Sequence, residues 1–150
     1  MALRCESTVT IGRPPAEVFP WLVDADKVAQ WMSGLERYEP LEPGPLRVGS
    51  RIAQRLSVSG YALEFELTVA ELDAPRRARL TFSGSGFDAA NEYVVTPVDG
   101  GAQVSWVVSG DTTSFKAKLV APMVQAKLQE KQDGDLGRLR LLLEDEAAAA

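Results

Sequence analysis

The stretch Arg51-Ile52-Ala53-Gln54-Arg55-Leu56-Ser57-Val58-Ser59-Gly60-Tyr61-Ala62-Leu63-Glu64-Phe65-Glu66-Leu67-Thr68-Val69 decides the architecture. Ile52, Gln54, Leu56 and Val58 fall on one side of a period-two alternation. After Ser59-Gly60, Tyr61, Leu63, Phe65, Leu67 and Val69 do the same. Such alternation marks half-buried strands, and a two-residue link ending in Gly marks a hairpin between them. Glu64, Glu66 and Thr68 take the opposite, solvated face.

Downstream the signal repeats in Arg77–Phe82, Phe87–Thr96 and Ala102–Val108. The turns are Asp73-Ala74-Pro75, Ser83-Gly84-Ser85-Gly86 and Pro97-Val98-Asp99-Gly100-Gly101. Short links make sequential strands antiparallel neighbours. Upstream, Leu3, Cys5, Val9 and Ile11 alternate with Arg4, Glu6, Thr8 and Thr10, a further strand in which Cys5 acts as a small buried hydrophobe. Pro14-Pro15 then open a short helix near Ala16–Val23, with a second near Asp26–Met32. The expected sheet has six strands, or seven if Leu35–Leu41 joins it.

Beyond Asp111-Thr112-Thr113-Ser114, read as a helix start capped by Asp111, the period becomes helical. Phe115, Leu119, Met123 and Ala126, then Leu136, Leu139 and Leu143, recur at three- and four-residue steps. Pro122 is expected to divide this segment into a lead-in and a main helix ending near Glu146. Gly134 and Gly137 invite a break. The main helix would be about 37 Å long, enough to cross a domain whose diameter is near ~40 Å. It is the one element able to cover the sheet's apolar face. The expected fold is therefore α+β: one domain over residues 1–150, ordered over about 3–146, with a curved antiparallel sheet gripping a long C-terminal helix.

Composition narrows the chemistry. The chain has 150 residues, 45% hydrophobic, a net charge of −5, one cysteine and no histidine. The acidic balance argues against nucleic acid, whose affinity rests on neutralised phosphates. No apolar run of about 18 residues exists, so no membrane insertion is expected. The start lacks a signal-peptide core and the lone cysteine forms no internal disulfide, which fits the cytoplasm. Without histidine the Ser-His-Asp and Cys-His pairs and histidine metal sites vanish. No cofactor and no metal are expected.

A sheet gripping a helix can leave an apolar pocket between them. Its expected lining is Gln54, Leu56, Tyr61, Leu63, Phe65, Phe82, Asn91, Tyr93 and Trp106 from the sheet, with Leu119 and Met123 from the helix. Gln54 and Asn91 either orient a ligand or meet water at an edge. Tyr61 and Tyr93 offer a hydroxyl to a ligand or to the rim. Met123 is expected to face Trp106 across the gap, while Trp21 and Trp31 pack the short helices outside it. Arg76, Arg77 and Arg79 are read as a solvated edge, with a phosphate or headgroup contact as the alternative.

The run Thr8-Val9-Thr10-Ile11-Gly12-Arg13-Pro14-Pro15-Ala16-Glu17-Val18-Phe19-Pro20-Trp21-Leu22-Val23-Asp24, followed by Trp31, resembles the opening of the START/polyketide cyclase superfamily (SRPBCC, pollen-allergen-like helix-grip proteins). Val48-Gly49-Ser50-Arg51, Glu71–Arg77, Thr96–Gly101 and Val104-Ser105-Trp106 extend the likeness over residues 3–146. It is strongest to the bacterial polyketide cyclase/dehydrase-like branch. The resemblance implies a hydrophobic cavity for lipids, sterols, polyketides or plant hormones, and no shared catalytic residue. The leading expectation is binding or transport of a small hydrophobic molecule by a monomer or homodimer. The alternatives are a metal-free cyclase, aromatase or dehydratase using the same cavity, and a protein-interaction module with a filled core.

Overall fold

The alternating segments form strands and the periodic C-terminal segment forms one helix. In the computed structural model, which describes residues 2–149, the order is β1 (Ala2–Ile11), α1 (Pro15–Val23), α2 (Ala25–Trp31), β2 (Leu35–Pro40), β3 (Arg51–Val58), β4 (Tyr61–Asp73), β5 (Arg77–Gly84), β6 (Phe87–Val98), β7 (Gly101–Thr112) and α3 (Phe115–Ala149). All seven strands belong to one antiparallel sheet in the order β1-β7-β6-β5-β4-β3-β2. The meander is local. Among the sheet's described strand pairs only the closure of β1 on β7, from Ala2 opposite Asp111 to Ile11 opposite Ala102, joins distant parts of the chain. A register shift between Val69 and Glu71 marks an irregularity in β4, a local feature that bends a strand and strengthens its twist.

The arginines and glutamates of the outer face pair with one another. Arg55 meets Glu64 at 2.7 Å and Arg51 meets Glu66 at 3.6 Å. Arg76, Arg77 and Arg79 are likewise matched by Asp73, Glu71 and Glu92.

Three expectations about α3 are corrected. The helix is continuous through Pro122 and through Gly134 and Gly137, and it runs to Ala149 rather than stopping near Glu146; Ala150 lies outside the described residues. Pro122 stands on the exposed side, so the carbonyl it leaves unpaired belongs to exposed Lys118 and can reach water. The start is capped by Ser114, whose Oγ accepts the Ala117 N–H at 3.1 Å, while Asp111 lies within β7. The third correction is one of phase. Ala117, Ala121 and Val124 are buried, whereas Phe115 and Leu119 are 76% and 66% exposed. The first half of α3 carries apolar residues on two faces, and the face with small side chains docks. Gly86 explains the choice, because a Cβ there would lie 2.6 Å from the Ala117 Cβ, too close for anything bulkier. From Leu136 onward the expected face is the buried one: Leu136, Leu139 and Leu143 are each at most 1% exposed.

Where α3 docks follows from the open edge of β1. The Arg4 N–H donates to Gln125 Oε1 at 3.0 Å, and the Glu6 N–H donates to Gln129 Oε1 at 3.1 Å. Gln129 Nε2 donates in return to the Glu6 carbonyl at 2.8 Å. Farther along, the Gly12 N–H donates to Glu144 Oε2 at 3.1 Å. Side chains of the helix thus stand in for the strand that β1 lacks. Fully buried Gln132 adds a bond from Nε2 to the Trp106 carbonyl at 2.8 Å.

Among the described residues no helix is long and apolar enough to cross a membrane.

Replacing Gln125 and Gln129 together by Ala removes three edge hydrogen bonds in partly wet surroundings. At about 0.5–1.5 kcal/mol each, urea unfolding should show a loss of about 2 kcal/mol with an unchanged m-value. Burial, and secondarily the Asp133 carboxylate, push the buried Cys5 thiol from about 9 up to about 11. The folded state therefore holds this proton more tightly, a contribution fully present below about pH 9 and lost as the pH rises through about 11. Cys5→Ala should flatten the alkaline decline in melting temperature, and the native thiol should resist labelling at neutral pH.

Candidate functional site

Because α3 is tethered along β1, it stands off the middle strands and leaves a cavity of about 50 Å³ beneath it. Gln54, Leu56, Leu63, Phe65, Phe82, Asn91, Tyr93 and Trp106 line it, as the alternation places them. Tyr61, Leu119 and Met123 do not. Tyr61 begins β4 at the sheet's margin and is 40% exposed; Leu119 and Met123 are on the outer face of α3. The helix instead contributes Val124, Leu128 and Lys131, one or two residues out of the expected phase. Leu3, Met32, Tyr38, Leu67, Leu80, Phe87 and Val108 complete the lining. Strand alternation could have supplied Leu3, Leu67, Leu80 and Val108. Tyr38 and Lys131 carried no signal, being a residue on a short strand and a lysine in a charged helix.

An aromatic cluster forms one wall. Trp106 stacks on Tyr93 with centroids 5.5 Å apart and meets the edge of Trp31 at 5.6 Å. Trp31 is fully buried, and its Nε1 donates to the Trp21 carbonyl at 2.7 Å, so it fixes the α2 end behind Trp106. Asn91 Oδ1 accepts the Trp106 Nε1 hydrogen at 2.9 Å. Its acceptor thus orients the indole. Phe65 and Phe82 meet edge to face at 4.7 Å.

The polar groups gather at one end. Lys131, with a side chain 10% exposed, pairs with Asp135, which is 2% exposed. Asp135 Oδ1 also accepts from Ser33, from its N–H at 3.0 Å and its Oγ at 2.6 Å. One carboxylate therefore joins α3 to the segment after α2 and receives three donors. Burial draws the Lys131 ammonium below the usual lysine range, opposed by the Asp135 charge. Burial, then the Asp24 charge, raises Tyr38; burial, then Tyr38 and Asp135, raises Tyr93. Both phenols stay protonated across the physiological range. Gln54 is buried and, among the described residues, its Nε2 has only the Met32 sulfur, at 3.7 Å. The cavity thus pairs apolar walls with a few polar groups, two of them neutral phenols.

Two surface clefts border this space. One, about 340 Å³, is lined by Ser33, Ser57 and Lys131 at the polar end. The other, about 290 Å³, lies between Tyr61 and the start of α3 and shares Leu63, Phe87 and Val124 with the cavity wall.

A comparison with curated protein sequences finds no match. Among solved structures, TTHA0849 from Thermus thermophilus superposes with a TM-score of 0.79 at 19% identity, covering 98% of this chain and 99% of that one. The ZhuI aromatase/cyclase from Streptomyces sp. R1128 gives 0.83 at 17% identity, covering 98% and 96%. Ara h 8.0201 gives 0.71 at 19%, covering 97% and 99%. At these identities the likeness is one of fold. The helix-grip layout, the cavity under its helix and a family-model match over residues 2–144 agree: the chain belongs to the polyketide cyclase / dehydrase and lipid transport family.

Proposed function

We propose that this protein binds or carries a small hydrophobic molecule, such as a lipid, polyketide or aromatic compound, in the cavity between the sheet and α3. The molecule's oxygen-bearing end would meet Tyr38, Gln54, Tyr93 and Lys131. The observation that carries this reading is an apolar cavity whose few polar groups converge at one end, the arrangement that orients a ligand without holding it by charge alone. Pockets for drug-sized ligands span about 300–1,000 Å³, well above the cavity's 50 Å³. The guest is therefore a single ring or a narrow chain, or it moves α3 side chains such as Leu128 aside. A ligand burying about 200 Å² gains roughly 5 kcal/mol before the costs of association, so burial alone gives dissociation constants no tighter than about 0.2 mM.

Titration with a fluorescent apolar probe, fatty acids and flavonoids tests this, with Trp106 emission as a second signal. Leu128→Trp should fill the cavity and lower probe affinity about tenfold or more. Met123→Trp, on the exposed face, should bind as the parent does. Equal binding by both variants would move the ligand elsewhere, and no binding by the parent would favour the interaction-module reading.

A second reading, a cyclase-type enzyme in the same cavity, is favoured by the Lys131–Asp135 pair in a cavity that also holds the phenols of buried Tyr93 and half-buried Tyr38. Together they form a proton-transfer set in a chain without histidine. Tyr38→Phe keeps the ring and removes the hydroxyl. If the parent turns over a poly-β-ketone mimic, this variant should slow it by about 10²-fold with probe affinity unchanged. An unchanged rate would remove Tyr38 from the chemistry.

A further inference from the structure

One apolar face of α3 turns away from the sheet. Phe115 and Leu119 are 76% and 66% exposed, and Met123 follows one turn later at 37%. Pro122 and Ala126, also exposed, fill the same outward side. Large apolar residues gathered on one exposed stripe of a folded chain mark an interaction surface.

The charges beside the stripe identify the partner's chemistry. Lys116 and Lys118 are exposed on its two shoulders, and Lys127 follows at its far end. Between Asp111 and Glu130 the sequence contains no acidic residue, although the whole chain carries a net charge of −5. Lys127 leans toward Glu130 at 3.8 Å, whereas Lys116 and Lys118 form no ion pair among the described residues. The positive end of the α3 dipole lies at this same end of the helix. A ridge of Phe, Leu and Met flanked by lysines is the pattern of a helix that lies on an anionic bilayer with its apolar side chains at the acyl boundary.

We propose that the first half of α3, from Phe115 to Lys127, is a docking surface for an anionic membrane. The chain then rests on the bilayer and does not span it. A second copy of the chain fits less well. Two-fold pairing sets the same patch against itself, which would face one lysine-flanked stripe with another of the same sign. The stripe is also the outward side of a single helix, a ridge. The cleft lined by Tyr61, Lys116 and Val120 opens beside it and shares Leu63, Phe87 and Val124 with the cavity wall. Docking would hold that cleft at the lipid surface. The inference stands on the outer face of α3 and does not depend on what the cavity holds.

Co-sedimentation with vesicles tests it, using phosphatidylcholine alone and an equimolar mixture with phosphatidylglycerol. The parent should sediment with the mixed vesicles, not with phosphatidylcholine alone, and high salt should release it. Lys116→Glu with Lys118→Glu should weaken binding on the order of tenfold or more. Phe115→Ser with Leu119→Ser should do so as well, with melting temperature and cavity-probe binding unchanged, since these side chains are exposed. The proposal is overturned if the parent ignores phosphatidylglycerol, or if both double variants sediment as the parent does. It is equally overturned if the parent forms a dimer that Leu119→Ser dissolves while neither binds vesicles.

Discussion

The edge of β1 is the constraint on which the rest depends. An edge strand presents unpaired N–H and carbonyl groups that invite pairing with another chain. Here α3 covers that edge, with Gln125 and Gln129 supplying amide groups to Arg4 and Glu6, and Glu144 receiving the Gly12 N–H. A helix held by these bonds lies along one side of the sheet. Its distance from the central strands is then set by β1, and by Ala117 close over Gly86 at the other end of the contact.

The cavity is a consequence of that placement. The middle strands point aromatic and branched side chains at a helix that does not come down far enough to meet them all. Trp31, Trp106 and Tyr93 fill part of the gap by edge and face contacts. What remains is small, and the groups that can enlarge it are the flexible side chains of Met32 and Leu128. Methionine adapts readily to a changed neighbour. The walls on β3–β7 are held by ladder hydrogen bonds, so a guest would displace the helix side before the sheet side.

The polar end obeys a different logic. Taking Lys131 and Asp135 out of water costs several kcal/mol per ion, and their attraction offsets it only with further hydrogen bonds. Ser33 supplies two of these to Asp135. Removing either partner alone would strand a buried charge, so the pair holds α3 against the segment after α2 as a unit. Tyr38 and Tyr93 add neutral phenols next to it, which keeps the region polar without adding charge. A ligand with an oxygen at one end and an apolar body matches this division; a uniformly polar one does not.

The strands, the hairpins, the two short helices and the long last helix were legible from the sequence, because alternation and helical spacing are local properties of neighbouring residues. So was the sheet side of the cavity: Gln54, Leu56, Leu63, Phe65, Phe82, Tyr93 and Trp106 follow from which parity of each strand is apolar. The helix side was not. Phe115, Leu119 and Met123 form as regular a stripe as Ala117, Ala121 and Val124, and burial prefers the larger side chains when nothing else is known. The close approach at Gly86 and the tether to β1 together select the small face, and both depend on the β5–β6 turn and β1 meeting α3 across the fold. Tyr38, Lys131 and Asp135 were likewise invisible, since their meeting requires β2, α2 and α3 to converge. Sequence determined which residues could face inward along each element; tertiary structure decided which of two apolar helix faces did so, because that choice is made by contacts between segments far apart in the chain.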